Sequence, residues 1–173
     1  MENASKIEAL VKQLSSKDGD TRQKARLALV DTGKEATQPL TALLTDKDKQ
    51  TRWEAAKALG AINDPAAIPA LIEALKDDVF DVRWLVSEAL VKIGEPAIIP
   101  VLEMLTTGAE KLFLREEARH VLKYIIRNNP NNRELIDTLK PVTNALEDNT
   151  AGVSAPAAAK IAIAKMKKLP ETG

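Results

Sequence analysis

The chain has 173 residues, 25 basic side chains against 25 acidic ones, a single histidine and no cysteine. Balanced charge excludes a grip on nucleic acid or membrane through overall charge, leaving only local patches. The missing cysteines remove disulfides, thiolate metal sites and thiol nucleophiles, and a lone His120 removes a multi-histidine metal site within one chain. In chain order, residues 1–14 are polar and amphipathic, without the basic-then-apolar pattern of an export signal. The Asn3-Ala4-Ser5 sequon is therefore read as chance. Helical stripes then alternate in two phases. One phase contains IEALVKQL (7–14), QPLTALL (38–44), IPALIEAL (68–75), IPVLEML (99–105) and KPVTNAL (140–146). The other contains TRQKARLALVDTG (21–33), TRWEAAKALGAIN (51–63), VRWLVSEALVKIG (82–94) and LREEARHVLKYII (114–126). Asp64-Pro65 reads as a helix start, and Gly33 and Gly94 read as helix stops. The expected helix pairs are 5–33, 35–63, 65–94, 96–129 and 131–168. No apolar run is long enough to span a bilayer, so a cytoplasmic protein is expected.

The second phase is a repeat. Arg22, Arg52, Arg83 and Arg115 follow one another at steps of 30, 31 and 32 residues. Three residues after each stands Ala25, Ala55, Val86 or Ala118, and seven after stands Leu29, Leu59, Leu90 or Leu122. Offsets +3, +6, +7 and +10 make one apolar stripe, the core face of a helix. Pro39, Pro69, Pro100 and Pro141 recur near the start of the first-phase element, where a missing N–H costs little or, if deeper, bends the helix. The segment DPAAIPALIEALKDDVFDVRWLVSEALVKIG (64–94) resembles the HEAT repeats of bacterial proteins, in the short form named after phycobilisome lyases. The resemblance is strong over 20–106 and weaker at both ends. It implies an all-α, right-handed α-solenoid of about five HEAT repeats, each an antiparallel helix pair, spanning 1–168 as one array. It also implies an inter-repeat ladder in which Asp46 and Asp77, six residues before Arg52 and Arg83, tie neighbouring repeats together. The end repeats depart from the pattern, as expected where an array must face water. The terminal Leu169-Pro170-Glu171-Thr172-Gly173 spells a sortase recognition motif. With neither export signal nor following apolar segment, it reads as a ligation tag over 169–173, with a chance terminus as the alternative, and not as wall anchoring.

Opposite the core stripe, offsets +1, +5 and +8 should line the concave groove. They are Gln23, Leu27 and Val30; Trp53, Lys57 and Gly60; Trp84, Glu88 and Val91; and Glu116, His120 and Lys123. Both tryptophans share one offset in adjacent repeats, on the order of 10 Å apart if the helices pack normally. The expected partner-binding set is Trp53 and Trp84 as anchors, Lys57 and Glu88 for orientation, with Leu27, His120 and Lys123 flanking. The competing reading is that each indole completes packing between repeats. A second candidate is the row Lys111, Arg115, Arg119, Lys123 and Arg127, spaced by fours on one helix, which could take phosphate or nucleic acid. Arg119 and Arg26 share offset +4, where burial against the next repeat would weaken that reading. His120 alone lacks an organised acid–base set, and the lysine-rich 160–169 segment is read as an end cap rather than a membrane-surface helix. The paired His-Glu motifs of deoxyhypusine hydroxylase are absent, and no P-loop, GxGxxG or HExxH occurs. The expectation is a monomeric, non-catalytic scaffold that binds a protein or peptide without cofactor or metal. Phosphate or nucleic-acid binding, and a lyase-like chromophore-handling role, stand as alternatives.

Overall fold

A computed structural model describes residues 2–108, 111–147 and 154–168, so the terminal LPETG motif at 169–173 lies outside the described residues. Among the described residues there are ten α-helices, three 3₁₀ turns and no strand. The helices are α1 (Glu2–Gln13), α2 (Gly19–Thr32), α3 (Thr37–Leu43), α4 (Lys49–Ile62), α5 (Ile68–Ala74) and α6 (Phe80–Ile93). They continue with α7 (Ile98–Gly108), α8 (Leu112–Asn128), α9 (Arg133–Glu147) and α10 (Ala155–Met166). The architecture is an all-α helix-pair fold of the α-solenoid class. The chain divides into two compact units, Met1–Ile93 and Gly94–Gly173.

In the first unit, α1–α2, α3–α4 and α5–α6 are hairpins stacked in two layers. Helices α2, α4 and α6 pack on one another more closely than α1, α3 and α5 do, so the stack tightens on the α2/α4/α6 side. The core stripe is what that packing buries: Ala25 and Leu29, then Ala55, Ala58 and Leu59, then Val86, Ala89 and Leu90. Small residues at +3 and +6 let neighbouring helices approach, and the leucines fill the space between the layers. Helix ends follow local chemistry. Gly33 (φ 69°) and Gly94 (φ 79°) take the positive φ that closes α2 and follows α6, and Asn63 (φ 56°) does the same after α4. Asp18 and Asp48 cap α2 and α4 by accepting from the N–H of Thr21 (2.8 Å) and Thr51 (3.0 Å).

The periodic arginine has a structural reason. Nη1 of Arg22, Arg52 and Arg83 donates to the carbonyl six residues earlier, that of Ser16 (2.8 Å), Asp46 (2.9 Å) or Asp77 (2.9 Å). Each guanidinium thus satisfies carbonyls orphaned at the end of the first helix of its own pair. The remaining donors of Arg52 and Arg22 reach the next pair. Nε and Nη2 of Arg52 clamp the Asp77 carboxylate at 2.6 and 3.0 Å, and Asp78 takes a further bond at 2.8 Å. Arg22 bonds instead to Glu54 (3.3 Å), while the Asp46 carboxylate accepts from the N–H of Asp48 (2.8 Å). Burial alone would raise the Asp77 carboxyl, but hydrogen bonds from Arg52 and the Val79 N–H outweigh it and hold it below the usual carboxylate range. A depressed folded pKa stabilises fully above the unfolded value of about 4, and that contribution disappears as pH falls through the folded value. Asp77→Asn should therefore flatten the acid limb of the stability profile between about pH 5 and pH 2. Urea midpoints measured across that window would check it, and parallel profiles for variant and parent would contradict the assignment.

In the second unit the order of packing changes. Helix α8 packs on α7 and α9, and α10 packs on both α9 and α7, so the four close into a ring. Stacking of the kind seen in the first unit would set α9 on α7 and α10 on α8. The final segment closes this unit through alanines: Ala155, Ala158, Ala159 and Ala162 are buried. Pro39, Pro69 and Pro100 lie in the first turn of α3, α5 and α7, whereas Pro141 sits inside α9 and removes one helical bond there. None of the described helices is long and apolar enough to cross a membrane.

Candidate docking site

Helices α4 and α6 run side by side, and their first two turns carry both tryptophans. Between them opens a shallow, almost wholly apolar pocket of about 430 Å³, lined by Trp53, Phe80, Asp81, Trp84 and Leu85. Trp84 is 44% exposed and Phe80 60% exposed, while Trp53 is half-buried. Two of the four +8 positions behave differently from the groove expectation: Gly60 and Val91 are buried. The reason is close approach. A Cβ on Gly60 would stand 3.3 Å from Ala89 Cβ and 3.4 Å from Ala89 Cα, so the helices touch there and open only toward their N-terminal turns.

Trp53 is held in a charged frame. Lys57 Nζ lies 4.4 Å from its ring centroid, one turn along α4, and Arg26 Cζ lies 5.7 Å away from α2. Arg26 is itself fixed by Glu54, which accepts from Arg26 Nη1 (2.7 Å), Arg22 Nε (3.3 Å) and Gln50 Nε2 (3.3 Å). The Glu54 side chain is 5% exposed, and those of Arg22 and Arg26 are 19% and 12% exposed. A buried carboxylate under two guanidiniums is tolerable only because all three are bonded. On the opposite wall, Arg83 Cζ lies 5.7 Å from the Phe80 ring.

The other sequence-predicted residues divide between the units. Leu27 is 52% exposed on α2 but does not line the pocket, and Glu88 is half-buried on α6. His120 and Lys123 belong to the second unit, where the His120 ring centroid lies 4.5 Å from that of Tyr124. The basic row of α8 is largely engaged. Arg115 Nη2 donates to the Ala145 carbonyl (3.2 Å), and Arg119 and Lys123 share Glu147 at 3.6 and 3.4 Å. Arg127 lies over Tyr124 (5.7 Å) and Lys111 over Phe113 (5.9 Å). Three of the five cations thus tie α8 to α9 and do not converge on an open cradle. No group of three His, Cys, Asp or Glu among the described residues could hold a metal ion.

Phe80, Asp81 and Leu85 were not anticipated as pocket walls, nor Glu54 as the hub beneath Trp53. Phe80 carried a signal: it stands three residues before Arg83, where the preceding repeats have Gly19 and Lys49. An aromatic that breaks the repeat at an exposed first-turn position is surplus to the core. Glu54 carried a weaker one, being an acid just before the buried Ala55.

A family model described as HEAT repeats matches residues 37–123. No curated protein matches the chain. Among solved structures, a crystal structure of an engineered protein from the Northeast Structural Genomics Consortium is 23% identical, with a TM-score of 0.44. That match covers 96% of this chain and 81% of the other. A second engineered protein from the same consortium is also 23% identical, with a TM-score of 0.45, over 98% of this chain and 49% of that structure.

Proposed function

The chain belongs to the HEAT-repeat family, and from that premise we propose that it is a non-catalytic scaffold that binds a protein or peptide on the α4/α6 face. The observation that carries this reading is the pairing of Trp53 and Trp84 around one open apolar pocket. Exposed tryptophans cost solubility, and a protein keeps them together where a partner covers them. The indoles are large, rigid and amphipathic, so they gain much contact area for little lost entropy. Lys57 and Glu88, one turn along each helix, supply polar groups beside the anchors.

The test compares partner capture by the parent and by Trp53→Ala/Trp84→Ala, after circular dichroism shows equal helicity. Affinity for the captured partner should fall about 100-fold or more in the variant. Equal binding by the folded variant would return both indoles to packing and remove this face as the docking site.

A further inference from the structure

We infer that the segment docked between α4 and α6 presents one large apolar side chain between an acidic residue and a basic one, so that charge fixes its direction. This deepens the scaffold reading and rests on it. The pocket is apolar over its floor, and its volume of about 430 Å³ is ample for a large apolar side chain. The exposed charges at its edge differ between the two walls. On the Trp53 wall stands Lys57, exposed, with its ammonium 4.4 Å from the indole centroid and no carboxylate of the described residues paired with it. On the Trp84 wall stands Asp81, exposed and itself part of the lining.

The guanidiniums nearby are already committed. Arg26 and Arg22 are bonded to Glu54, and Arg83 donates to the carbonyls of Asp77 (2.9 Å) and Asp78 (3.3 Å). At the pocket itself an incoming segment therefore meets Lys57 on one wall and Asp81 on the other across an apolar gap, with Glu88 half-buried one turn after Trp84 on the acidic wall. Covering the pocket strips water from both. A partner carboxylate at Lys57 and a partner cation at Asp81 replace that water, whereas the reversed order sets like charges together on both walls. The two walls are not equivalent along the chain either. Lys57 is one turn after Trp53, and Asp81 is nearly one turn before Trp84. The charges thus lie diagonally across the pocket, which separates a segment from its charge-reversed counterpart.

The chain has only two tryptophans, both on this site, so intrinsic fluorescence reads occupancy directly. The probes are peptides of about ten residues with a central Phe or Leu, flanked in four ways: acid–base, base–acid, acid–acid and base–base. The expected result is that one of the two mixed frames binds at least tenfold tighter than the other, and that Lys57→Glu/Asp81→Lys inverts the preference. Equal binding of all four frames, lost in Trp53→Ala/Trp84→Ala, would overturn the charge assignment while leaving the docking face in place. Absence of binding by any frame would overturn the peptide inference; the scaffold reading would then stand or fall on the capture experiment alone. A fluorescence change that follows the protein's own concentration, with a dimer in sedimentation, would overturn it in favour of a second copy of this chain.

Discussion

Glu54→Ala should destabilise the protein by about 3–5 kcal/mol, the cost of removing one partner from a buried ion pair. For a chain of this length that corresponds to a fall in Tm of roughly 6–20 °C, read by thermal unfolding. The size follows from what is left behind. Glu54 accepts from Arg26 at 2.7 Å and from Arg22 and Gln50 at 3.3 Å, and both guanidiniums are at least four-fifths covered. Without the carboxylate, Arg22 keeps its bonds to the carbonyls of Ser16 and Lys17, but the short Arg26 bond to Glu54 has no replacement. Adding Arg26→Met should therefore recover part of the loss, because an apolar chain of similar length needs no counter-charge. Arg26 also lies 5.7 Å from the Trp53 centroid, so Glu54→Ala should shift Trp fluorescence even below the melting transition. A Tm within about 2 °C of the parent would mean that water replaces the carboxylate at no cost, contrary to the burial.

The contrast between Glu54 and the arginine period shows which features a sequence exposes. The arginines are legible because each serves the same local geometry three times over, the turn carbonyls six residues upstream. Such a device must repeat whenever the hairpin repeats. The apolar stripe is legible for the same reason, since every helix pair presents one face to the next. Docking sites obey the opposite logic: they exist where one repeat departs from its neighbours. Trp53 and Trp84 stood out against Gln23 and Glu116 at the same offset. Phe80 broke the repeat in the same way, against Gly19 and Lys49, but Asp81 did not stand out, because a first turn admits many polar residues and its exposure depends on the spacing of α4 and α6. The rung between the first two pairs was hidden too. Asp46 stands where Asp77 does, yet the Arg22 side chain reaches Glu54, four residues after Gln50 on α4, and Asp46 closes its own turn. The ring closed by α9 and α10 follows from Ala-rich contacts, and alanine gives little directional information in a sequence.

Gly60→Leu should cost about 3 kcal/mol or more, and it should also weaken docking. The site of contact is backbone as well as side chain, because a Cβ at Gly60 meets Ala89 Cα at 3.4 Å. A leucine cannot swing away from a neighbouring main chain, so α4 and α6 must separate. Gly60→Ala is the instructive control. Replacing a helix-interior glycine by alanine gains about 1 kcal/mol of helix propensity. The 3.3 Å contact with Ala89 Cβ takes much of that back, so a net change near zero is expected. Gly60→Ala/Ala89→Gly moves the same methyl across the interface and should restore parent-like packing, although the glycine penalty reappears on α6. Docking discriminates the two consequences of Gly60→Leu. If the tight contact holds the first turns of α4 and α6 at the spacing that lets one side chain touch both Trp53 and Trp84, then separation widens the pocket and lowers affinity, even at temperatures where the variant remains folded. Parent-like affinity in a destabilised Gly60→Leu protein would show that the indoles set their own spacing, and that the pocket walls act independently of the glycine contact beneath them.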